Sequence, residues 1–137
     1  MTDGQPMPSR SLGVVVPAYR PDVERLVAYV RACRAALDPV AVRIELDAPE
    51  PGVADRLREA LTAEVAVSPD RRGKGAAVTA GFEALAGAAD VLAFVDADGS
   101  TPVESVAAVV DPVADGRADL AIGSRRHPDS VVTSHQT

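Results

Sequence analysis

The sequence is poor in several residue types, and each shortage excludes a class of site. Its 137 residues include one cysteine, Cys33, which rules out an internal disulfide and a cysteine-built zinc site. We expect Cys33 to pack as a small apolar side chain of a helix. The two histidines, His127 and His135, lack metal-ligand spacing and are taken as loop residues. No Ser-His-Asp or Cys-His arrangement for nucleophilic catalysis is indicated.

Lysine is almost absent as well. Lys74 is the single lysine among 14 basic residues, and 20 acidic residues bring the net charge to −6. An acidic chain of this kind argues against a nucleic-acid partner. The same balance is typical of proteins from salt-adapted organisms, although codon bias alone would also produce it. No apolar run approaches the ~20 residues of a membrane span, and the composition leaves the oligomeric state open.

Strand-like and helix-like segments alternate along the chain. Apolar runs predict strands at 12–16, 40–46, 64–68, 91–95 and 118–123, and helical spacing predicts helices at 21–37, 53–62, 76–87 and 102–116. Residues 1–10 have no apolar period and are predicted to form a flexible N-terminus. Residues 11–137 are predicted to form one α/β domain with a mostly parallel sheet flanked by helices.

Polar residues follow the predicted strands at the edge where parallel sheets bind ligands. They are Tyr19, Asp47, Arg72, Lys74, Asp96, Asp98 and the stretch 124–126. Their common placement predicts a single site at the carboxyl ends of the strands. Glu45, inside the second predicted strand, is expected at a sheet edge or facing solvent.

The stretch VDADGSTP carries the most specific chemistry. Asp96 and Asp98 follow a buried strand with one small residue between them, so both carboxylates can reach one hard cation such as Mg²⁺ or Mn²⁺. The alternative is that they only cap the helix predicted at residue 102. Metal binding is favoured because an unpaired charge at the end of a buried strand is costly.

Two other stretches allow both a functional and a purely structural interpretation. In RRGKG, backbone amides at a helix start together with Arg72 and Lys74 form an anion site, or else the loop is a solvated turn. Its spacing is not that of a P-loop. Tyr19 can stack on a base or sugar or pack at an edge, and Asp47 can accept hydrogen bonds from a base or ribose or shape a turn.

Four segments in order resemble the family-2 glycosyltransferases, and in particular the branch that makes dolichyl-phosphate or polyprenyl-phosphate sugars. They are VVVPAYRPDVERL, RRGKGAAVTAGFEAL, VLAFVDADGSTPVESV and ADLAIGSRR, and the resemblance covers roughly residues 13–136. It implies the Rossmann-like GT-A fold of nucleotide-diphospho-sugar transferases, with residues 11–137 as the nucleotide-sugar-binding domain. The family normally continues beyond this point, so we expect the acceptor-binding C-terminal part to be absent.

The resemblance also implies roles for individual residues. Asp96 and Asp98 would bind Mg²⁺ or Mn²⁺, with Asp98 catalytic through that metal, and Ser100 would be a weaker further ligand. Arg125 lies where the acceptor phosphate is handled. The residues implied in binding the nucleotide sugar are Pro17, Ala18, Tyr19, Asp47, Gly73, Lys74 and Asp96.

The implied activity is a metal-dependent, inverting transfer of a hexose from a nucleotide sugar to a polyprenyl phosphate. The wording DADGST and GSRRHPDS favours UDP-glucose over GDP-mannose as donor. Such a protein is expected in the cytoplasm, with the complete enzyme at the cytoplasmic face of the membrane. The alternatives are a family member with another acceptor, such as a polysaccharide, protein or small molecule, and a nucleotidyltransferase-like or non-catalytic nucleotide-binding module.

Overall fold

The computed structural model describes residues 11–99, 102–107 and 121–122. Within this part of the chain, residues 103–107 form a short helical segment. The other elements, in chain order, are β1 (Leu12–Tyr19), α1 (Val23–Leu37), β2 (Ala41–Asp47), α2 (Val53–Ala60), β3 (Glu64–Ser68), α3 (Lys74–Leu85), β4 (Val91–Phe94) and β5 (Ala121–Ile122). The predictions for residues 1–10 and for the helix beyond residue 107 fall outside this part of the chain.

The strands form one parallel sheet. Among the described residues it has five strands in the order β3-β2-β1-β4-β5, and every neighbouring pair is parallel. From β1 to β3, each new strand is added on the same side of the sheet. The chain then crosses over β1, and β4 pairs with the other edge of β1. The order therefore reverses between β1 and β4, the position where open α/β sheets bind ligands. The predicted α/β class is confirmed.

The two faces of the sheet are covered by different helices. Alternate side chains of β1 and β2, such as Val14 and Ile44, belong to one buried cluster with Leu26 of α1 and Leu57 of α2. On the opposite face, Gly81 of α3 lies against Val15. Within the described residues, no helix is long and apolar enough to span a membrane.

Cys33 packs as predicted, because it is 2% exposed and belongs to the buried core cluster. Burial raises the pKa of its thiol to about 11, although a hydrogen bond with Tyr29 opposes that rise. The thiol therefore stays protonated near neutral pH.

Several predicted boundaries differ from the structure by one to three residues, and two of the differences have a clear physical cause. The first strand was predicted to stop before Pro17, but β1 continues to Tyr19. Val15 accepts a hydrogen bond from the N–H of Val95, so the backbone of every second residue, including Pro17, faces the β4 side. Since the β1–β4 pairing ends at Val15, the missing N–H of Pro17 costs no ladder bond. At α1, the helix begins after Asp22, whose side chain accepts the N–H of Arg25, and not at residue 21.

Candidate functional site

The carboxyl ends of β1 and β2 and the start of α3 enclose a cavity of about 140 Å³. It is lined by Pro17, Ala18, Tyr19, Asp47, Arg71, Gly73, Lys74 and Ala77. These include every residue that the resemblance implied in nucleotide binding, apart from Asp96. Register explains the meeting of two of them, because Tyr19 and Asp47 are paired neighbours on β1 and β2.

Lys74 connects this cavity to the aspartates after β4. Its Nζ lies 2.7 Å from Oδ1 of Asp96, and the lysine side chain is 55% exposed. Helix α3 begins at Lys74, directly after Gly73, whose φ of +94° is a conformation that side chains disfavour. The glycine therefore turns the chain so that the first helical residue can reach across to β4. The two predicted motifs thus form one site.

The aspartates occupy a tight turn after β4. The N–H of Val95 continues the ladder to Val15, and Gly99 has a φ of +68°. The ring of Tyr29 supports this turn from α1, since a Cβ added at Gly99 would lie 3.2 Å from its Cδ1. Burial raises the pKa of Tyr29 far above its usual value, with further contributions from Cys33 and from the negative charge of the two aspartates. Tyr29 was not identified from the sequence, because a buried helical tyrosine has no distinctive pattern.

The aspartate pair suits a metal that is shared with a substrate. Asp96 and Asp98 offer hard oxygen ligands, but within the described ranges no group of three His, Cys, Asp or Glu side chains could hold a metal. Mg²⁺ typically takes one or two carboxylates and completes its shell with substrate phosphates and water. The residues therefore fit a cation that binds together with a diphosphate. Ser100 and Arg125 lie outside the described residues.

Asp47 accepts hydrogen bonds from the backbone amides that were predicted to bind an external anion. Its Oδ2 accepts hydrogen bonds from the backbone N–H groups of Arg72 (2.7 Å) and Gly73 (3.0 Å). Its Oδ1 accepts a hydrogen bond from Nε of Arg72 (2.7 Å). Burial raises the pKa of Asp47, but these hydrogen bonds and the Arg72 charge outweigh it and hold the pKa below its usual value. The prediction that Arg72 belongs to a ligand-binding anion site is wrong in this respect: Arg72 binds the protein's own carboxylate.

The expectation that Glu45 lies at an edge or faces solvent is also wrong. Glu45 is 2% exposed, and β2 lies between β3 and β1. One carboxylate oxygen contacts Nε of Arg43, and the other lies 3.1 Å from Nη1 of Arg72. The alternation in VRIELD did indicate a polar strand face. It could not indicate that two arginines and a loop would cover that face.

The ring of Tyr19 already contacts two arginine side chains. The guanidinium carbon of Arg71 lies 4.1 Å from the ring centroid and that of Arg20 lies 5.5 Å from it, which is within the range of cation–π contacts. Tyr19 is 39% exposed. A base that stacks on Tyr19 would therefore meet Arg71 at the entrance of the cavity, and Arg71 is a site residue that the sequence did not single out.

A larger cavity, about 480 Å³, lies away from these groups. Its lining residues all belong to α1 and α2, and charged side chains of both signs, including Glu24 and Arg31, border it. It contains none of the strand-end residues. We place the chemistry at the smaller cavity, because the glycine-held loop, the aspartate pair and the buried Asp47 meet there.

The sequence matches the family described as Glycosyl transferase family 2 over residues 13–136. The chain belongs to this family. A curated relative, Glycosyltransferase AglD of Haloferax volcanii, is 34% identical in a 131-residue alignment that covers 88% of this chain and 20% of that protein. The chain thus spans about a fifth of the length of this relative.

Solved structures support the GT-A fold. A mycobacterial protein superimposes with a TM-score of 0.58 at 23% identity, covering 78% of this chain and 38% of the other. Glucosyl-3-phosphoglycerate synthase from Mycobacterium tuberculosis, solved with Mn²⁺, UDP and phosphoglyceric acid, has a TM-score of 0.55 at 22% identity, covering 77% of this chain and 39% of the other. The α/β sheet described above is therefore a GT-A sheet.

Proposed function

We propose that this chain is the donor-binding part of a metal-dependent, inverting glycosyltransferase that moves a hexose from UDP-glucose to a polyprenyl phosphate. The observation that carries the proposal is the Lys74–Asp96 contact of 2.7 Å, which joins the cavity to the aspartate pair. A nucleoside diphosphate has the matching shape: a base for the cavity and a diphosphate for the cationic and metal-binding end. The family membership supports the same reading.

Asp47 favours uracil over guanine as the base. A carboxylate has about four acceptor positions, and three are taken by internal donors: two on Oδ2 and one on Oδ1. Guanine offers two neighbouring N–H donors, which need one free position on each oxygen. Uracil has a single N–H in its ring plane, and one position on Oδ1 is enough for it. The UDP bound in the mycobacterial synthase supports this choice.

Asp96 and Asp98 would hold Mg²⁺ or Mn²⁺ against the donor diphosphate. When bound, the cation supplies Lewis-acid stabilisation of the negative charge that develops on the leaving nucleotide. The chain's own contribution is Lys74, whose ammonium group lies at the same place and would neutralise part of that charge. Gly73 sets the direction in which Lys74 points.

In the proposed reaction, an oxygen of the acceptor phosphate attacks the anomeric carbon from the side opposite the diphosphate. The bond from that carbon to the diphosphate oxygen breaks, and its electron pair leaves with UDP. The acceptor phosphate is ionised near neutral pH, so no strong protein base is needed. We propose that Arg125 binds this phosphate and that the complete enzyme works at the cytoplasmic face of a membrane. A soluble phosphorylated acceptor is the second candidate, supported by the phosphoglyceric acid in the synthase structure.

Calorimetric titration in high salt tests the donor site. The chain would be titrated with UDP-glucose and GDP-mannose, each with and without Mn²⁺. We expect Mn²⁺-dependent binding of UDP-glucose and weaker binding of GDP-mannose. Asp98→Ala should abolish the dependence on Mn²⁺, and Asp55→Ala, at a 79% exposed site on α2, is the matched control. Unchanged metal dependence in Asp98→Ala would refute the metal assignment.

The acceptor is tested separately with the complete protein. Radiolabelled UDP-glucose would be offered with polyprenyl phosphate in detergent or with phosphoglyceric acid in buffer. Transfer of label to the lipid supports the proposal, and transfer only to the soluble acid supports the second candidate.

A further inference from the structure

A line of alternating charges runs from β3 along one face of β2 to the donor cavity. It begins at Glu64 on β3, which is 62% exposed and lies 2.7 Å from Nη1 of Arg43. Arg43 contacts Glu45, and Glu45 contacts Arg72. The line ends at Asp47, which lines the cavity.

Register places these groups on one face of the sheet. Arg43, Glu45 and Asp47 are alternate residues of β2, and Arg43 pairs directly with Glu64 across the β2–β3 ladder. Because Glu45 lies next to Asp47 on this face, the guanidinium of Arg72 can reach both carboxylates at once. Its Nε donates a hydrogen bond to Asp47 (2.7 Å), and its Nη1 donates one to Glu45 (3.1 Å).

The loop before α3 and the first residue of that helix thus contribute three cations with different partners. Arg72 is held inward by the two carboxylates, whereas Arg71 lies on Tyr19 and Lys74 reaches Asp96. Without Glu45, Arg72 would keep only Asp47 as a side-chain partner. Its long side chain could then turn toward a bound diphosphate and take the backbone of Gly73 with it. Glu45 therefore decides which cations of the loop face the donor.

We propose that Glu45 is a positioning residue of the donor site, which ties Arg72 to Asp47 so that Gly73 and Lys74 are presented to the nucleotide. Glu45 touches neither donor nor metal in this proposal and acts through Arg72. The inference rests on the proposed function, because the ligand it prepares the loop for is the uridine diphosphate group of the donor.

The test compares three variants of the chain by calorimetric titration with UDP and Mn²⁺ and by thermal unfolding. Glu45→Gln keeps the shape and removes the charge, and we expect its UDP affinity to fall by about 10-fold or more, comparable with the loss of a group that orients a metal ligand. Glu64→Gln, at the exposed end of the line, is the matched control and should bind UDP like the unaltered chain.

The double variant Arg43→Gln/Glu45→Gln separates positioning from stability. Glu45→Gln alone removes one negative charge from the line and leaves Arg43 with only the exposed Glu64 as a partner, which lowers the melting temperature. Removing Arg43 as well restores the balance of charge, so the melting temperature should recover. The UDP affinity should not recover, because Arg72 still lacks its second carboxylate. A purely structural role predicts that both recover together.

The possible results are distinct. If the unaltered chain binds UDP and Glu45→Gln binds it equally well, the positioning role is refuted and the proposed function stands. If the double variant regains UDP affinity along with stability, the positioning role is refuted as well. If the unaltered chain does not bind UDP, the proposed function and this inference both fail.

Discussion

Helix α3 carries Lys74 at its start, and its position depends on a close contact with β1 at Gly81. A Cβ added there would lie 2.5 and 2.8 Å from the two γ carbons of Val15 and 3.2 Å from its Cβ. Favourable carbon–carbon contacts need about 3.5 Å or more, so Gly81→Ala requires a separation of about 1 Å. Val15 is fully buried, β-branched and held between β2 and β4, so it cannot yield. The helix itself must move.

The expected cost follows from two opposing terms. Overpacking of this kind costs about 1–3 kcal/mol, and we expect the upper half of that range because two contacts fall below 3.0 Å. Alanine gains about 1 kcal/mol over glycine in a helix. The free energy of unfolding should therefore fall by about 1–2 kcal/mol in Gly81→Ala.

Urea unfolding followed by circular dichroism would measure this change as a lower midpoint at an unchanged slope. Gly75→Ala is the matched control, because Gly75 lies in the same helix and a Cβ there would meet nothing within 4 Å. We expect it to be neutral or more stable by up to about 1 kcal/mol. If Gly81→Ala were as stable as Gly75→Ala, the packing of α3 on β1 described above would be incorrect.

Three further predictions concern the site and the core. In Lys74→Met, Mn²⁺ no longer competes with the lysine for Asp96. Mn²⁺ binding without nucleotide should therefore strengthen by up to about fivefold, since an exposed ion pair is worth at most ~1 kcal/mol, and UDP binding should weaken. Calorimetry that shows no gain in Mn²⁺ affinity would contradict this competition. The lowered pKa of Asp47 stabilises the fold above pH ~4 and is lost on further acidification, so the stability gap between the unaltered chain and Asp47→Asn should shrink from pH 7 to pH 3 in urea titrations. The rise of the Cys33 pKa from 9.0 to about 11 leaves about 100-fold less thiolate at pH 8, so an aromatic disulfide reagent should react at least that much faster in denaturant.

Much of the fold was predictable from local patterns. The third strand was predicted at 64–68, the bounds that β3 has, because its short apolar run is framed by polar residues. The helix α1 was predicted within two residues at its start, and the difference arises because Asp22 caps the helix with its side chain. Pro17 misled the prediction of β1, since the effect of a proline on a strand depends on whether a neighbouring strand needs its N–H.

The candidate site was predicted in part. Tyr19, Asp47, Lys74 and Asp96 were expected at strand ends, and the structure brings them to the same edge of the sheet. The partner of Arg72 and the burial of Glu45 were predicted wrongly, because a charged residue has the same one-dimensional pattern whether it faces water or a buried partner.

The sequence by itself determined the order of strands and helices and the family, because periodicity and motif spacing are properties of the chain. It also indicated that polar residues lie at or just beyond the strand ends, and therefore which groups can meet. Only the tertiary structure decided the partners of those groups. Arg72 binds Asp47 and Glu45 across separations of 25 and 27 residues, and such contacts depend on strand register and helix packing. For that reason the line of charges that ends at the donor cavity became visible only in three dimensions.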